Sequence, residues 1–245
     1  MCRRPRRRSS SRGISASITI CARRSKRVSA MAESEGFPLA EPGLWVERVG
    51  DRTYPTGRPA LFLDRDGTIN VDTGYPSDPA EIVLRPEILP VIRTANLAGL
   101  PAIIVSNQSG IARGYFGWSE FAAVNARLLA LLDGHGCQID LVLACAYHSS
   151  GKGDLSIGDH PMRKPNAGML LRAGDLLGLD ISGSIIVGDK ADDMEAGRRA
   201  GLAEGWLVGG RSNRKTPDGG FTTHKLTTGN DHRRLCDAIV ELSKD

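Results

Sequence analysis

No stretch of this 245-residue sequence stays apolar for the roughly 20 residues that a membrane-spanning helix requires. The sequence therefore reads as that of a soluble, cytoplasmic protein without a membrane partner. Cysteine is scarce and unpaired in pattern. The five residues Cys2, Cys21, Cys137, Cys145 and Cys236 are odd in number and contain no C-x-x-C pair. That excludes a disulfide framework and fits a reducing compartment. Acidic residues are missing from residues 1–30, which hold ten Lys and Arg. With that arm set aside, the formal charge of +4 becomes −6. A nucleic-acid partner would thus rest on the arm alone, and it is not the expected one.

The arm is rich in Arg and Ser and has no periodicity that could bury a core, so residues 1–30 read as disordered. Three accounts of it compete: an Arg-rich targeting peptide, a nucleic-acid tail, or translation from a start codon set too early. The last is favoured, because Met31 followed by Ala-Glu-Ser-Glu looks like an ordinary cytosolic start. Residues 31–59 then form an N-terminal extension, and residues 60–245 one domain.

Beyond residue 60, apolar β-rich runs alternate with amphipathic stretches, the pattern of βα units in a parallel sheet. Strands are predicted at 60–64, 101–106, 140–146, 184–188 and 204–208. Helices are predicted at 88–99, 118–133, 166–177, 191–200 and 231–242. Residues 209–230, dense in Gly, Thr and charge, read as a loop. The expected fold is α/β, Rossmann-like and three-layered, with a central parallel sheet and no large cap domain. In such sheets ligands bind beyond the carboxyl ends of the strands, so polar residues just past each strand are the first candidates for chemistry.

Four such places stand out. Asp64-Arg65-Asp66-Gly67-Thr68 follows an apolar strand, and residues two apart in an extended segment face the same way. Two carboxylates beside a phosphate repel it by roughly 4 kcal/mol per unit-charge pair about 4 Å apart, so a divalent cation is needed, and magnesium suits such a site. One aspartate could attack phosphorus while the other handles the leaving-group proton. Ser106-Asn107-Gln108-Ser109-Gly110 ends the next strand, where a hydroxyl and backbone N–H groups could hold phosphate oxygens. Arg163-Lys164-Pro165 leads into a helix and supplies cations. Gly188-Asp189-Lys190-Ala191-Asp192-Asp193 offers Asp189 where a metal ligand should be. Asp193 reads either as support behind that ligand or as a helix N-terminal charge. Each motif alone also describes an ordinary polar turn; their coincidence is the signal.

In this order the four motifs resemble those of the haloacid dehalogenase superfamily. Phe62 to Asn70, Ser106 to Gly114, Arg163-Lys164-Pro165 and Val187 to Lys190 resemble its branch of D-glycero-D-manno-heptose 1,7-bisphosphate and histidinol-phosphate phosphatases. The resemblance covers residues 60–208. It implies Asp64 as nucleophile, Asp66 as general acid and base whose backbone carbonyl meets the metal, and Ser106 and Lys164 as phosphoryl holders. It also implies Mg2+ on Asp64, Asp66 and Asp189, with Asp193 behind them. Substrate contacts would come from Asp72, Gly74, Tyr75, Asn107, Gln108, Ser109 and Arg163; read from the residues alone, Tyr75 could equally be packing in a turn. The implied reaction removes the 7-phosphate of the heptose bisphosphate. Histidinol phosphate, a nucleic-acid 3′-phosphate, or a non-catalytic phosphosugar-binding role are the alternatives. A monomer acting on a small phosphorylated molecule is expected.

One family feature is not matched. Many heptose bisphosphate phosphatases hold a structural zinc through a C-x-H and a later C-x-C. Here Cys145 remains, Tyr147 stands at the histidine position, and His160 and Met162 replace the final cysteines. Thioether sulfur is a poor zinc ligand. Cys145, His148, His160 and Asp159 could improvise a site, but the reading without zinc is preferred.

Overall fold

The computed structural model describes residues 36–209 and 220–244. The basic arm at 1–30 lies outside them, so its reading as disordered is neither supported nor opposed. Eight strands form one sheet among the described residues, in the order β1-β2-β5-β4-β3-β6-β7-β8. They are β1 (Leu39–Glu41), β2 (Leu44–Arg48), β3 (Leu61–Leu63), β4 (Ala102–Asn107), β5 (Leu141–Cys145), β6 (Ile185–Gly188), β7 (Glu204–Val208) and β8 (Thr222–Leu226). From β5 to β8 every pairing is parallel, as the alternating pattern implies. The β1–β2 hairpin pairs antiparallel onto β5 and makes that edge of the sheet mixed.

The central strands carry apolar side chains on both faces because helices cover both. Leu61, Leu63, Ile104, Ile185 and Val187 point into one core, and Phe62, Ile103, Val105 and Ile186 into the other. This is the period-two alternation of a strand buried on two sides. The first core is closed by α1 (Leu89–Leu97), α3 (Trp118–Gly134) and α6 (Gly229–Leu242), through residues such as Val91, Phe121, Leu128 and Ile239. The second is closed by α4 (Gly168–Leu177) and α5 (Ala191–Ala200), through Met169, Leu170, Met194 and Ala196. Burying each large apolar side chain contributes roughly 1.5–3 kcal/mol.

Three elements depart from the expected pattern. The segment read as an N-terminal extension supplies β1 and β2. It is further tied down by Arg52, which forks onto Asp140 with two bonds of 2.9 Å. The stretch read as a loop contains β8, paired in parallel with β7. Ser109 begins a one-turn helix, α2 (Ser109–Arg113), where only a polar turn was expected. No separate cap intervenes: between β3 and α1 the regular structure is a single 3-10 turn at Pro79–Glu81.

Candidate active site

All four motifs converge at the carboxyl ends of β3, β4 and β6, on a cavity of about 380 Å3. Its lining includes Asp64, Asp66, Ser106, Gln108, Lys164 and Lys190. Asp64 leaves β3 and is fixed by its own backbone N–H, which donates to the Val187 carbonyl at 2.9 Å. The central apolar strands thus place a carboxylate, 5% exposed, at the floor of the cavity.

Lys164 organises that floor. Its ammonium is buried and donates to Asp64 Oδ1 at 2.7 Å and to the Val105 carbonyl at 2.6 Å, and it pairs with Asp193 Oδ1 at 2.6 Å. Its backbone is clamped by the Asn107 amide, which donates from Nδ2 to the Lys164 carbonyl at 2.8 Å and accepts the Lys164 N–H at 3.1 Å. The Asn107 side chain, expected to touch substrate, lines the cavity and also positions the lysine. Burial opposes the charge on Lys164, but the carboxylates of Asp193 and Asp64 outweigh it and hold its pKa above the ordinary value. Asp64 has one lysine against a larger burial penalty. Burial pushes it up to about 7 despite Lys164, and the charges of Asp193 and Asp66 add to the rise.

Asp193 does both things its position suggested. One oxygen meets Lys164, and the other accepts the Lys190 N–H at 3.0 Å at the start of α5. Asp189 stands beside it, raised by burial and by the charge of Asp193 against the pull of Lys190. Its Oδ1 is buried with no hydrogen-bond partner. Oxygens of Asp64, Asp189 and Asp193 lie within 4.8 Å of one another. Gly67, at φ +89°, lets the loop after β3 approach so closely that any Cβ there would collide with the Asp189 carboxylate. Crowded oxygen donors and one orphaned carboxylate oxygen are what a hard divalent cation needs.

Asp66 corrects the simple strand argument. The strand ends at Leu63, so Asp66 sits in the following turn, and its carboxylate is not part of the acidic cluster. Arg65 Nη2 donates to it at 2.8 Å, Asn70 Nδ2 at 3.0 Å and Gln108 Nε2 at 2.9 Å. Burial alone would raise its pKa; the Arg65 charge and these bonds overcome that and lower it. Gln108 also donates to Ser106 Oγ at 2.8 Å, joining the first two motifs. Tyr75 both lines the cavity and packs edge-on against Tyr115, ring centroids 4.8 Å apart, and Asp72, Gly74, Ser109 and Arg163 line the cavity too.

Sequence reasoning missed Lys190, whose ammonium lies 3.6 Å from Asp72 and 3.8 Å from Asp189. The signal was its place directly after Asp189. It also missed Arg65 as the clamp on Asp66. The zinc candidates are not gathered into a ligand cluster among the described residues. His160 stacks on Tyr147 with ring centroids 3.8 Å apart, accepts the Met162 N–H at Nδ1 and faces Glu41 at 3.5 Å. His148 is turned toward Ser150 and Arg113. The Cys145 thiol is buried, and burial pushes it up to about 12.

The HAD-hydrolase-like family profile matches residues 161–225. The D-glycero-beta-D-manno-heptose-1,7-bisphosphate 7-phosphatase of Mesorhizobium japonicum is 60% identical over 217 residues, 88% of this chain and 99% of that protein. A HAD-like phosphatase from Mesorhizobium loti, of known crystal structure, has a TM-score of 0.83 at 61% identity, covering 85% of this chain and 99% of its own. The D,D-heptose 1,7-bisphosphate phosphatase from B. bronchiseptica, crystallised with magnesium and phosphate, has a TM-score of 0.61 at 28% identity, covering 73% and 98%. The fold, the acidic cluster and these likenesses define a phosphatase of the HAD-like hydrolase class. The chain belongs to the D-glycero-D-manno-heptose-1,7-bisphosphate 7-phosphatase family.

Proposed function

We propose that the enzyme removes the 7-phosphate of D-glycero-β-D-manno-heptose 1,7-bisphosphate, the substrate in the name of its Mesorhizobium relative, through a phosphoryl group carried on Asp64. The observation that carries this reading is the paired state of the cavity floor. Lys164 spans Asp64 and Asp193, while Asp189 keeps an oxygen with no partner in the protein. Asp64 and Asp189 would hold Mg2+, with the Asp66 carbonyl as a further oxygen donor; when bound, the ion offsets repulsion between these carboxylates and the phosphoryl oxygens.

Asp64 Oδ2, free of Lys164, attacks phosphorus while Lys164 holds the other oxygen and so fixes the angle of approach. For Asp66 to give the departing sugar oxygen a proton and then take one from the water that hydrolyses the acyl phosphate, its carboxyl must be protonated and released by Arg65, Asn70 and Gln108, which favour its charged form before substrate binds. Ser106 Oγ donates to a phosphoryl oxygen, and Lys164, its three N–H bonds spent on Asp64, Asp193 and the Val105 carbonyl, contributes its positive charge to the floor beneath it.

The test is phosphate release from heptose 1,7-bisphosphate, histidinol phosphate and a 3′-phosphorylated oligonucleotide, with and without magnesium. The heptose bisphosphate should be turned over fastest, and only with the metal. Faster release from either rival would reassign the substrate, and no release from any would leave a binding protein.

A further inference from the structure

Arg163 enters the cavity from residues 156–167, a stretch with neither helix nor strand. Its place must therefore come from tertiary contacts, and two of them are backbone carbonyls. Its Nη1 donates to the Tyr147 carbonyl at 3.1 Å, and its backbone N–H donates to the His160 carbonyl at 2.9 Å. Tyr147 and His160 are also the pair whose rings stack, 17° from parallel. The stack thus sets the spacing of the two carbonyls that hold Arg163.

The turn between β1 and β2 holds the stack from outside. Gly43, in that turn, has a φ outside the left-handed region, so the backbone alone would accept another residue. What requires glycine is space: a Cβ there would lie 2.6 Å from Cε2 and Cζ of the Tyr147 ring. The Gly43 carbonyl accepts the Ala146 N–H at 2.8 Å, just before that ring in the chain. Glu41, which ends β1, faces the other ring, its Oε1 3.5 Å from His160 Nε2. The second imidazole nitrogen accepts the Met162 N–H at 3.2 Å, next to Arg163. The hairpin reaches both rings, while the cavity itself is lined by Arg163 and by neither Glu41 nor Gly43.

We infer that the β1–β2 turn is a positioning element of the active site: Glu41 and Gly43 hold the Tyr147–His160 stack, and the stack aims Arg163 at the substrate. This rests on the phosphatase reading above, whichever sugar is bound. The segment ahead of residue 60 then serves recognition from a distance. Glu41, Gly43, Tyr147 and His160 are positioning residues and touch no reacting atom. Loosening the stack weakens substrate binding through Arg163 and leaves Asp64 and Lys164 in place on the floor, so KM moves and kcat does not.

The experiment measures kcat and KM of the full chain with magnesium, on the substrate of the panel above that is turned over fastest. It uses the wild type, His160→Ala, Gly43→Ala, Tyr147→Phe, Arg163→Ala, and His160→Ala combined with Arg163→Ala, each checked by circular dichroism. His160→Ala should raise KM roughly fivefold or more with kcat within about twofold, and Gly43→Ala should do the same by pushing the Tyr147 ring aside. Tyr147→Phe, which keeps the ring and the carbonyl, should match the wild type. In the Arg163→Ala background the effect of His160→Ala should shrink to under about twofold, because the group being aimed is gone. If Gly43→Ala folds poorly, His160→Ala decides. A KM unmoved by His160→Ala overturns the inference, and so does an effect of equal size with and without Arg163, which would make the stack packing alone. Hydrogen exchange of the peptide spanning 156–167 is read independently of turnover. It should quicken in His160→Ala and Gly43→Ala, and unchanged exchange contradicts the hold on Arg163. If exchange quickens while no substrate of the panel reacts, the proposed function fails and the hold on this segment stands.

Discussion

The two charged clusters at the cavity are built on opposite terms. In the acidic one nearly every polar atom is already spoken for: Lys164 has two carboxylates and a carbonyl, Asp193 has both oxygens engaged, and Asp66 has three neighbouring residues donating to it. Among its carboxylates, Asp189 Oδ1 is buried and left without a partner. In the basic cluster the donors outnumber the acceptors, and Arg113 faces an imidazole that cannot accept from it without losing Ser150. The difference teaches where rigidity is spent. The groups placed to meet a phosphorus atom are held by the protein itself, whereas the donors of the basic cluster are left short of partners.

That contrast breaks most completely at Asp64. Asp64→Asn should cut phosphate release by at least roughly 10^3-fold while leaving the thermal transition close to that of the wild type. Surviving turnover would remove the acidic cluster from the reaction. Next comes Lys164→Met, which strands Asp64 and Asp193 as buried charges. Urea unfolding should show a loss of about 3–5 kcal/mol, and a loss of under about 1 kcal/mol would mean that these groups are not paired charges.

A smaller effect separates the clusters by metal. Added magnesium should raise the melting temperature of the wild type, by the equivalent of about 2.7 kcal/mol at a hundred times its dissociation constant, and should do so far less in Asp189→Asn. An equal rise in both would place the cation elsewhere. The smallest concerns Cys145, beside Arg163. Burial pushes its thiol up to about 12, so the stability it contributes is present below about pH 9 and is lost as the pH rises toward 12. At pH 8 a thiol reagent should therefore label the half-buried Cys236 well before Cys145. Rapid labelling of Cys145, followed by peptide mapping, would show a reactive thiol and contradict its burial.

How much of this was readable beforehand follows from burial. Phe62, Ile103 and Ile186 announce central strands because both faces are covered, and the polar residues that follow each strand fall at the site. The edges were harder. In β8, Thr222-Thr223-His224-Lys225 is half-exposed and shows no apolar face, so its strand character comes from pairing with β7 rather than from local pattern. Likewise β1 and β2 are short, and they owe their place to β5, about a hundred residues further on. At the site, residue types and order indicated Asp64, Lys164 and Asp189. The partner of each side chain was not legible. Arg65 folding back on Asp66, Asn107 clamping Lys164 and Arg113 meeting His148 all depend on turns that bring distant polar groups together.

The most direct measurement is to mix the enzyme with magnesium and heptose 1,7-bisphosphate, quench in acid within one turnover, and map the phosphorylated peptide by mass spectrometry. A phosphoryl group that appears on Asp64, forms no more slowly than product, and is absent from Asp64→Asn is the expected result. Product formed with no protein-bound phosphate at any time, or phosphate found on another residue, would contradict it.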